Sequence, residues 1–164
     1  MKTFRLETTT VVPRPIEETF EFFADAGNLE AITPPWLNFE IVTPRPIDMS
    51  AGTLIDYRLR LHGIPLRWKT RIAAWEPPFR FVDEQLSGPY RLWRHEHIFE
   101  NDPAGSGGTR MTDRVEYAFF GGPLTPLVNR IYVRRDLDRI FEFRRTMLLK
   151  LLAPRPEVSA SSTR

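Results

Sequence analysis

The chain of 164 residues contains no cysteine. Disulfide bonds, thiolate metal ligands and cysteine nucleophiles are therefore excluded, and the composition fits the reducing cytosol, so we expect a cytoplasmic protein. Long apolar runs are missing too. No segment reaches the roughly 18 apolar residues of a membrane-spanning helix, and residues 1–12 lack the apolar core of a signal peptide. We therefore expect neither stable membrane insertion nor secretion.

A large excess of charge of either sign is also missing. The formal net charge is +2, too small for a general nucleic-acid binder. The glycine-rich segment at residues 105–108 precedes no predicted helix, which argues against a phosphate-binding loop. No serine lies in the strand-turn-helix setting of a nucleophile elbow. The length suits one domain, which we place at residues 1–152, followed by a disordered tail at residues 153–164.

The strongest helical pattern lies in residues 123–152. Apolar residues recur there at steps of three and four, as on one helix face: Val133, Leu137, Ile140, Phe141, Met147, Leu148 and Leu151. An earlier apolar stripe ends at Ile131 and would continue at position 134 or 135. Both positions are arginine, so we predict a bend or a change of buried face near Tyr132. We assign the basic residues to the solvent face: Arg130, Arg134, Arg135, Arg139, Arg144, Arg145 and Lys150.

The remainder of the chain predicts a sheet with two short helices. Residues 3–12 alternate like a strand, and residues 15–25 and 28–32 have helical patterns. From residue 39 onward the pattern has a period of two, and short links make the neighbouring strands antiparallel. The predicted strands are 39–43, 53–61, 66–75, 79–86, 90–99 and 109–119. We therefore expect an α+β fold, in which a seven-stranded curved antiparallel sheet with one apolar face wraps around the long C-terminal helix.

The predicted inner face of the sheet is aromatic and carries a minority of polar groups. Apolar walls with a few convergent polar groups are typical of a site for a small hydrophobic molecule. The alternative is an ordinary core in which these polar groups pair with one another. Turn positions predict that Tyr57 faces Thr70, Thr70 faces Asp83, Asp83 lies near Trp93 and His97 faces Asp113, although a slip of two residues stays open. The candidate ligand-binding residues are Tyr57, Leu59, Trp68, Thr70, Phe81, Asp83, Gln85, Trp93, His95, His97, Val115, Tyr117, Ile140 and Phe141.

The motif His95-Glu96-His97 places two imidazoles on the same side of one strand. With Asp113 on the neighbouring strand they match a two-histidine, one-carboxylate metal site, but this spacing alone is a weak signal and we expect no metal or cofactor. The same groups suit acid–base chemistry. His97 oriented by Asp113, with His95 or Tyr57 as the second group, would then serve a cyclisation or dehydration.

Six segments carry a resemblance to a known family: residues 12–20, 33–36, 52–57, 75–85, 88–99 and 108–117. Together with the order of elements, they resemble the SRPBCC or START-like superfamily, which includes the birch-pollen-allergen fold and the polyketide cyclase/dehydrase-type proteins. The resemblance covers residues 3–152. It implies a helix-grip fold with a deep hydrophobic cavity between the curved sheet and the last helix. It implies no single reaction, because relatives bind lipids, sterols, quinones or polyketides and only some are enzymes.

Three functions follow as expectations. The first is binding or transport of a hydrophobic small molecule such as a lipid, a polyketide or a quinone-like compound. The second is a cyclase or dehydratase that uses His95, His97, Asp113 and Tyr57. The third is a protein-interaction module that uses the arginine-rich helix face and the Trp36 loop. The sequence leaves the oligomeric state open.

Overall fold

The structure is a computed structural model that describes residues 2–120 and 122–154. Most of the predicted disordered tail, residues 155–164, lies outside the described residues. No helix within the described ranges is long and apolar enough to cross a membrane. The predicted order of elements is confirmed: β1 (Phe4–Val12), α1 (Ile16–Ala24), α2 (Asn28–Ala31), β2 (Glu40–Ile41), β3 (Leu54–Leu61), β4 (Ile64–Glu76), β5 (Arg80–Ser87), β6 (Leu92–Asn101), β7 (Thr109–Ala118), α3 (Thr125–Val128) and α4 (Arg134–Leu151).

Helix α1 begins directly after Pro15, whose ring fixes a backbone angle suited to a helix start. Glu17 and Glu18 lie in its first turn, where the helix dipole favours carboxylates. One face of α1 packs on the sheet and contributes to the core beside Phe99. The buried residues of this face are Ile16, Thr19, Phe20 and Phe23.

All strands of the sheet pair antiparallel in the order β1-β7-β6-β5-β4-β3-β2. Strands β2 to β7 follow one another as neighbours, and β1 closes the far edge against β7. Helices α1 and α4 contribute to core clusters on the same face of the sheet. This arrangement confirms the predicted α+β helix-grip fold, with a seven-stranded antiparallel sheet, short helices after the first strand and a long C-terminal helix.

The predicted register of three hairpins, β3–β4, β4–β5 and β5–β6, is displaced by two residues, and a displacement of two does not by itself move a side chain to the other face. His62 and Gly63 both adopt positive φ, at 50° and 79°, and form a two-residue turn. Strand β4 therefore starts earlier than predicted, at Ile64. The observed pairs are Tyr57 with Trp68, Ile55 with Thr70, Thr70 with Gln85, Asp83 with His95 and, as predicted, His97 with Asp113.

A β-bulge interrupts β4 between Ile72 and Ala74. One extra residue reverses the alternation of side chains beyond it. Trp75 therefore packs on the core rings of Phe20 and Phe81, at centroid distances of 5.0 and 5.5 Å. Phe79, predicted to point inward, is 61% exposed. The bulge cannot be recognised in the sequence, because apolar and polar residues alternate regularly on both sides of it.

A π-helical turn at Asn129–Val133 separates α3 from α4, beside Tyr132, where the sequence predicts a bend or a change of buried face. The earlier apolar stripe is not buried, since Leu124, Leu127 and Ile131 are 62%, 54% and 47% exposed. The assignment of Arg144 to the solvent face is wrong, because its side chain is only 8% exposed. The buried residues of α4 are Leu137, Phe141, Arg144 and Leu148.

We expect Leu148→Ala to lower the free energy of unfolding by about 2 to 5 kcal/mol, since it leaves a cavity in the core. Leu148 is 1% exposed, whereas its neighbour Leu149 is 38% exposed. Leu149→Ala is the matched control and should change stability by about 0.5 kcal/mol or less. Urea unfolding measures both, and equal losses would contradict the docking of α4 described above.

Candidate functional site

A cavity of about 220 Å³ lies between the concave face of the sheet and helices α1, α2 and α4. The sheet supplies most of its apolar wall, and the helices supply Phe23, Leu137 and Ile140. Most of the predicted ligand-binding residues lie on this wall. They are Tyr57, Leu59, Trp68, Thr70, Phe81, Asp83, Trp93, His95, His97, Ile140 and Phe141.

Three predicted ligand-binding residues do not line the cavity. The amide of Gln85 instead holds the turn before β6, donating from Nε2 to the carbonyl of Tyr90 at 2.7 Å and accepting from its N–H at 3.2 Å. Val115 and Tyr117 are buried in a core cluster with Leu6. The reason is that the start of α4 covers this part of β7, so these side chains fill the contact between the two elements.

The cavity wall also contains residues that the sequence analysis missed. They come from α2 and from the irregular segments around β2, where no periodicity assigns a face, and from the loop before β6. These residues are Leu29, Ile32, Leu37, Phe39, Met49 and Tyr90.

Four polar side chains meet at one side of the cavity, and we call them the His–Asp cluster: Asp83, His95, His97 and Asp113. The first three line the cavity, and Asp113 lies behind them, buried at 5% exposure. Adjacent strands β5, β6 and β7 supply the cluster. His95 Nε2 lies 2.8 Å from Asp113 Oδ1. The ring of His97 bridges both carboxylates, with Nε2 at 2.9 Å from Asp83 Oδ2 and Nδ1 at 3.0 Å from Asp113 Oδ1. The two rings have centroids 3.7 Å apart, and their planes are tilted by 32°.

Arg144 extends from α4 to this cluster. Its Nη2 lies 3.3 Å from His97 Nδ1 and 3.6 Å from Asp113 Oδ1, and its guanidinium covers the ring of Phe23. Its Nε has no hydrogen-bond partner among the described residues. A sequence signal for this role existed, because position 144 stands three residues after Phe141 and four before Leu148, within the buried stripe.

Burial and charge act in opposite directions on the carboxylates. Burial by itself would raise the pKa of Asp113, but the charge of Arg144 and hydrogen bonds from both imidazoles hold that pKa well below its usual range. The pKa of Asp83 is lowered in the same way, since its bond to His97 and the nearby positive charges outweigh burial. Both carboxyl groups are therefore ionised at neutral pH.

His95 and Tyr57 are neutral at pH 7. Burial and the neighbouring His97 lower the pKa of His95, although Asp113 and Asp83 oppose that shift. Burial raises the pKa of Tyr57, and the charge of Asp83 raises it further. Tyr57 is therefore a phenol that donates hydrogen bonds and is a poor base. Thr70 beside it accepts a hydrogen bond from Trp68 Nε1 at 3.1 Å.

The cluster has the groups for three kinds of chemistry. It can bind a polar atom of a ligand, transfer a proton through an imidazole, or coordinate a cation. The ligand atoms that converge on one point come from both histidines and Asp83, whereas the sequence suggested Asp113 as the carboxylate of a metal site. Within the described ranges, one ligand atom from each of Asp83, His95 and His97 lies within 4.8 Å of the others.

Residues 12–144 match the model of a family described as polyketide cyclase / dehydrase and lipid transport. The chain belongs to this family. The resemblance inferred from the sequence is thereby confirmed, and the matched residues include every strand from β2 to β7 and the cluster with Arg144. No curated protein sequence matches the chain significantly.

Solved structures share the fold at low sequence identity. An aromatase/cyclase, ZhuI, from Streptomyces sp. R1128 is 18% identical, with a TM-score of 0.71 over 92% of this chain and 94% of that one. Major latex-like protein 151 from Panax ginseng is 11% identical, with a TM-score of 0.67 over 93% and 99%. Protein Ms6760 from Mycobacterium smegmatis is 18% identical, with a TM-score of 0.66 over 90% of each chain.

We expect acid to destabilise the protein through the His–Asp cluster. The lowered pKa values of Asp113 and Asp83 mean that the folded state binds their protons less tightly than the unfolded chain does. Their stabilising effect is present above the unfolded value near 3.8 and is lost as the pH falls below it. The lowered pKa of His95 also reduces the stability of the folded state as the pH falls below about 6.5.

Asp113→Asn should lower the free energy of unfolding by about 3 kcal/mol at pH 7 and flatten its decline between neutral and acid pH. The measurement is urea unfolding at a series of pH values. Asp138→Asn is the control, because Asp138 lies on α4 but pairs with Arg134 at the surface, so this variant should keep the parent profile. Parallel profiles for the parent and Asp113→Asn would contradict the assignment.

Proposed function

We propose that this protein binds and carries a hydrophobic small molecule in the cavity between the concave sheet and α4. The observation that carries the proposal is a mostly apolar wall with one localised polar cluster. Such a wall supplies affinity through the hydrophobic effect, and the cluster orients one polar end of the ligand. The description of the family, which includes lipid transport, supports the same function. We infer that the carrier acts in the cytoplasm.

The size of the cavity favours a compact ligand. Its volume of about 220 Å³ lies below the about 300 to 1,000 Å³ typical of sites for drug-sized molecules. A long acyl chain would require the helices to move away from the sheet. A single ring system or a short branched chain fits without that movement.

An aromatic corner at one side of the cavity supports a ligand that contains a ring. Trp68 and Trp93 meet edge to face at 5.2 Å, and Tyr90 contacts both at 5.6 and 4.8 Å. These three rings hold one another in place, so their faces and edges are positioned to pack against an aromatic ring of a ligand. The ligand class that combines these features is a compact, ring-containing molecule with one polar end, as in polyketide-like or quinone-like compounds.

The second candidate is a cyclase or dehydratase with acid–base catalysis by the same cluster. The specific observation is that both imidazoles line the cavity and contact ionised carboxylates. His97 would transfer the proton, Asp113 and Asp83 would orient the His97 ring, and His95 or Tyr57 would form a hydrogen bond to the substrate oxygen.

The third expectation, a protein-interaction module, has weaker support, since Trp36 packs on Phe143 and Arg139 of α4.

The carrier proposal is tested by titration with an uncharged fluorescent naphthylamine probe. We expect saturable binding at one site per chain, and Trp68→Ala should raise the dissociation constant about tenfold, because it removes a large part of the aromatic wall. Trp36→Ala is the matched control and should bind like the parent, as Trp36 is not on the cavity wall. No saturable binding by the folded parent would refute the carrier proposal.

His97→Ala separates the two candidates. Under the carrier proposal, the variant should bind the same probe within about threefold of the parent, since the apolar wall supplies most of the affinity. Under the enzyme candidate, it should abolish turnover of a poly-β-ketone substrate while probe binding persists. Product analysis by mass spectrometry measures the turnover, and unchanged turnover in this variant would remove His97 from catalysis.

A further inference from the structure

One oxygen of Asp113 contacts both imidazole rings. Oδ1 lies 2.8 Å from His95 Nε2 and 3.0 Å from His97 Nδ1. An ionised carboxylate only accepts hydrogen bonds, so His95 Nε2 carries its ring proton and donates it to Asp113. By the same rule His97 donates from Nε2 to Asp83, and its Nδ1 accepts from Arg144 Nη2 at 3.3 Å. In the neutral rings, the lone pairs then lie on His95 Nδ1 and His97 Nδ1.

One nitrogen of each ring lies near the second carboxylate. Asp83 Oδ2 is 2.9 Å from His97 Nε2 and 3.7 Å from His95 Nδ1. Two imidazole nitrogens and a carboxylate oxygen therefore converge within 4.8 Å of one another. The Nε2 proton of His97 lies between His97 and Asp83, and a metal ion can replace it, because an imidazole nitrogen binds either a proton or a metal.

The three atoms match the ligand set of a transition metal. Two imidazoles and one carboxylate suit zinc, iron, cobalt or nickel, whereas magnesium and calcium prefer oxygen ligands alone. Metal–ligand bonds of about 2.0 to 2.2 Å place neighbouring ligand atoms of a tetrahedral site about 3.3 to 3.6 Å apart. The observed 2.9 and 3.7 Å lie on either side of this interval. A bound ion would therefore move the Asp83 carboxylate away from His97 and toward His95.

The surroundings of the three atoms also fit a metal site. Metal-bound histidines usually donate their other ring N–H to a carboxylate. Asp113 accepts such a bond from His95, and it lies 3.0 Å from His97 Nδ1, where it can accept a second one when Nε2 binds a metal. With neutral rings, the two carboxylates and Arg144 give the cluster a formal charge of −1, which attracts a cation. Asp83, His95 and His97 all line the cavity, so the remaining coordination positions face the space where a ligand would lie.

We propose that Asp83, His95 and His97 bind one divalent transition-metal ion on the cavity wall, with Asp113 as the residue that positions both rings. The proposal goes beyond the carrier function and does not depend on it. It also differs from the expectation of no metal drawn from the sequence, where Asp113 was the candidate third ligand. Three protein ligands and open positions toward a cavity are the arrangement of metal sites that bind a further ligand.

The test is a titration of the full chain, stripped with a chelator, with Co²⁺ and separately with Zn²⁺. We expect one equivalent of Co²⁺ to produce visible absorption bands of a cobalt ion with nitrogen and oxygen ligands, and Zn²⁺ to displace it. Asp83→Asn and His97→Ala should each weaken binding at least tenfold. Asp113→Asn should weaken it about 10- to 100-fold, because it affects the orientation of the ligands.

His62→Ala is the matched control. The chain has three histidines, and His62 lies at the β3–β4 turn, where it pairs with Asp136 at 2.7 Å. This variant should bind cobalt like the parent. Asp83→Asn keeps the shape of the side chain, and circular dichroism of each variant checks the fold. Absence of saturable cobalt and zinc binding by the parent would overturn the proposal and leave the proton on His97 Nε2. Loss of binding in His62→Ala would overturn it as well, since the metal would then lie at the surface.

Discussion

The contact of Arg144 with Asp113 and His97 is the interaction on which the interior of this protein depends. Asp113 is buried on β7, and Arg144 is the positive charge that α4 brings to it. A buried charge is tolerated only with a partner, and removal of one member of such a pair typically costs about 3 to 5 kcal/mol. The pair therefore restricts how α4 can rotate and slide on the sheet. The apolar residues around it tolerate several helix positions, but the charges do not.

Two local irregularities shape the cavity around that contact. The β-bulge in β4 turns Trp75 toward Phe20 and Phe81, which closes one part of the inner face with aromatic rings. The π-helical turn at Asn129–Val133 rotates the C-terminal helix, so that α4 directs Arg144 to the cluster. Both features insert one residue into a regular element, and both change which side chains meet inside.

Membership of the family defines the architecture and leaves the chemistry open, because one fold can support binding and catalysis alike. In this chain the distinguishing feature is the density of polar contacts on an otherwise apolar wall. Two adjacent imidazoles between two carboxylates form a site that can bind a polar ligand atom, a proton or a cation. The same apolar wall that would hold a ligand also excludes water from the cluster, which strengthens each electrostatic contact there.

The sequence by itself determined the order of elements, the apolar face of the sheet and the long C-terminal helix. These features are local, because they follow from periodicity, prolines and glycines within a few residues. It also identified His95, His97 and Asp113, since alternation places them on one face of neighbouring strands, and it paired His97 with Asp113. The tertiary structure decided the other strand partners, because a shorter turn shifts the register by two residues without changing the alternation. It also placed Arg144 inside with Asp113, since the burial of an arginine depends on a carboxylate that lies far away in the sequence.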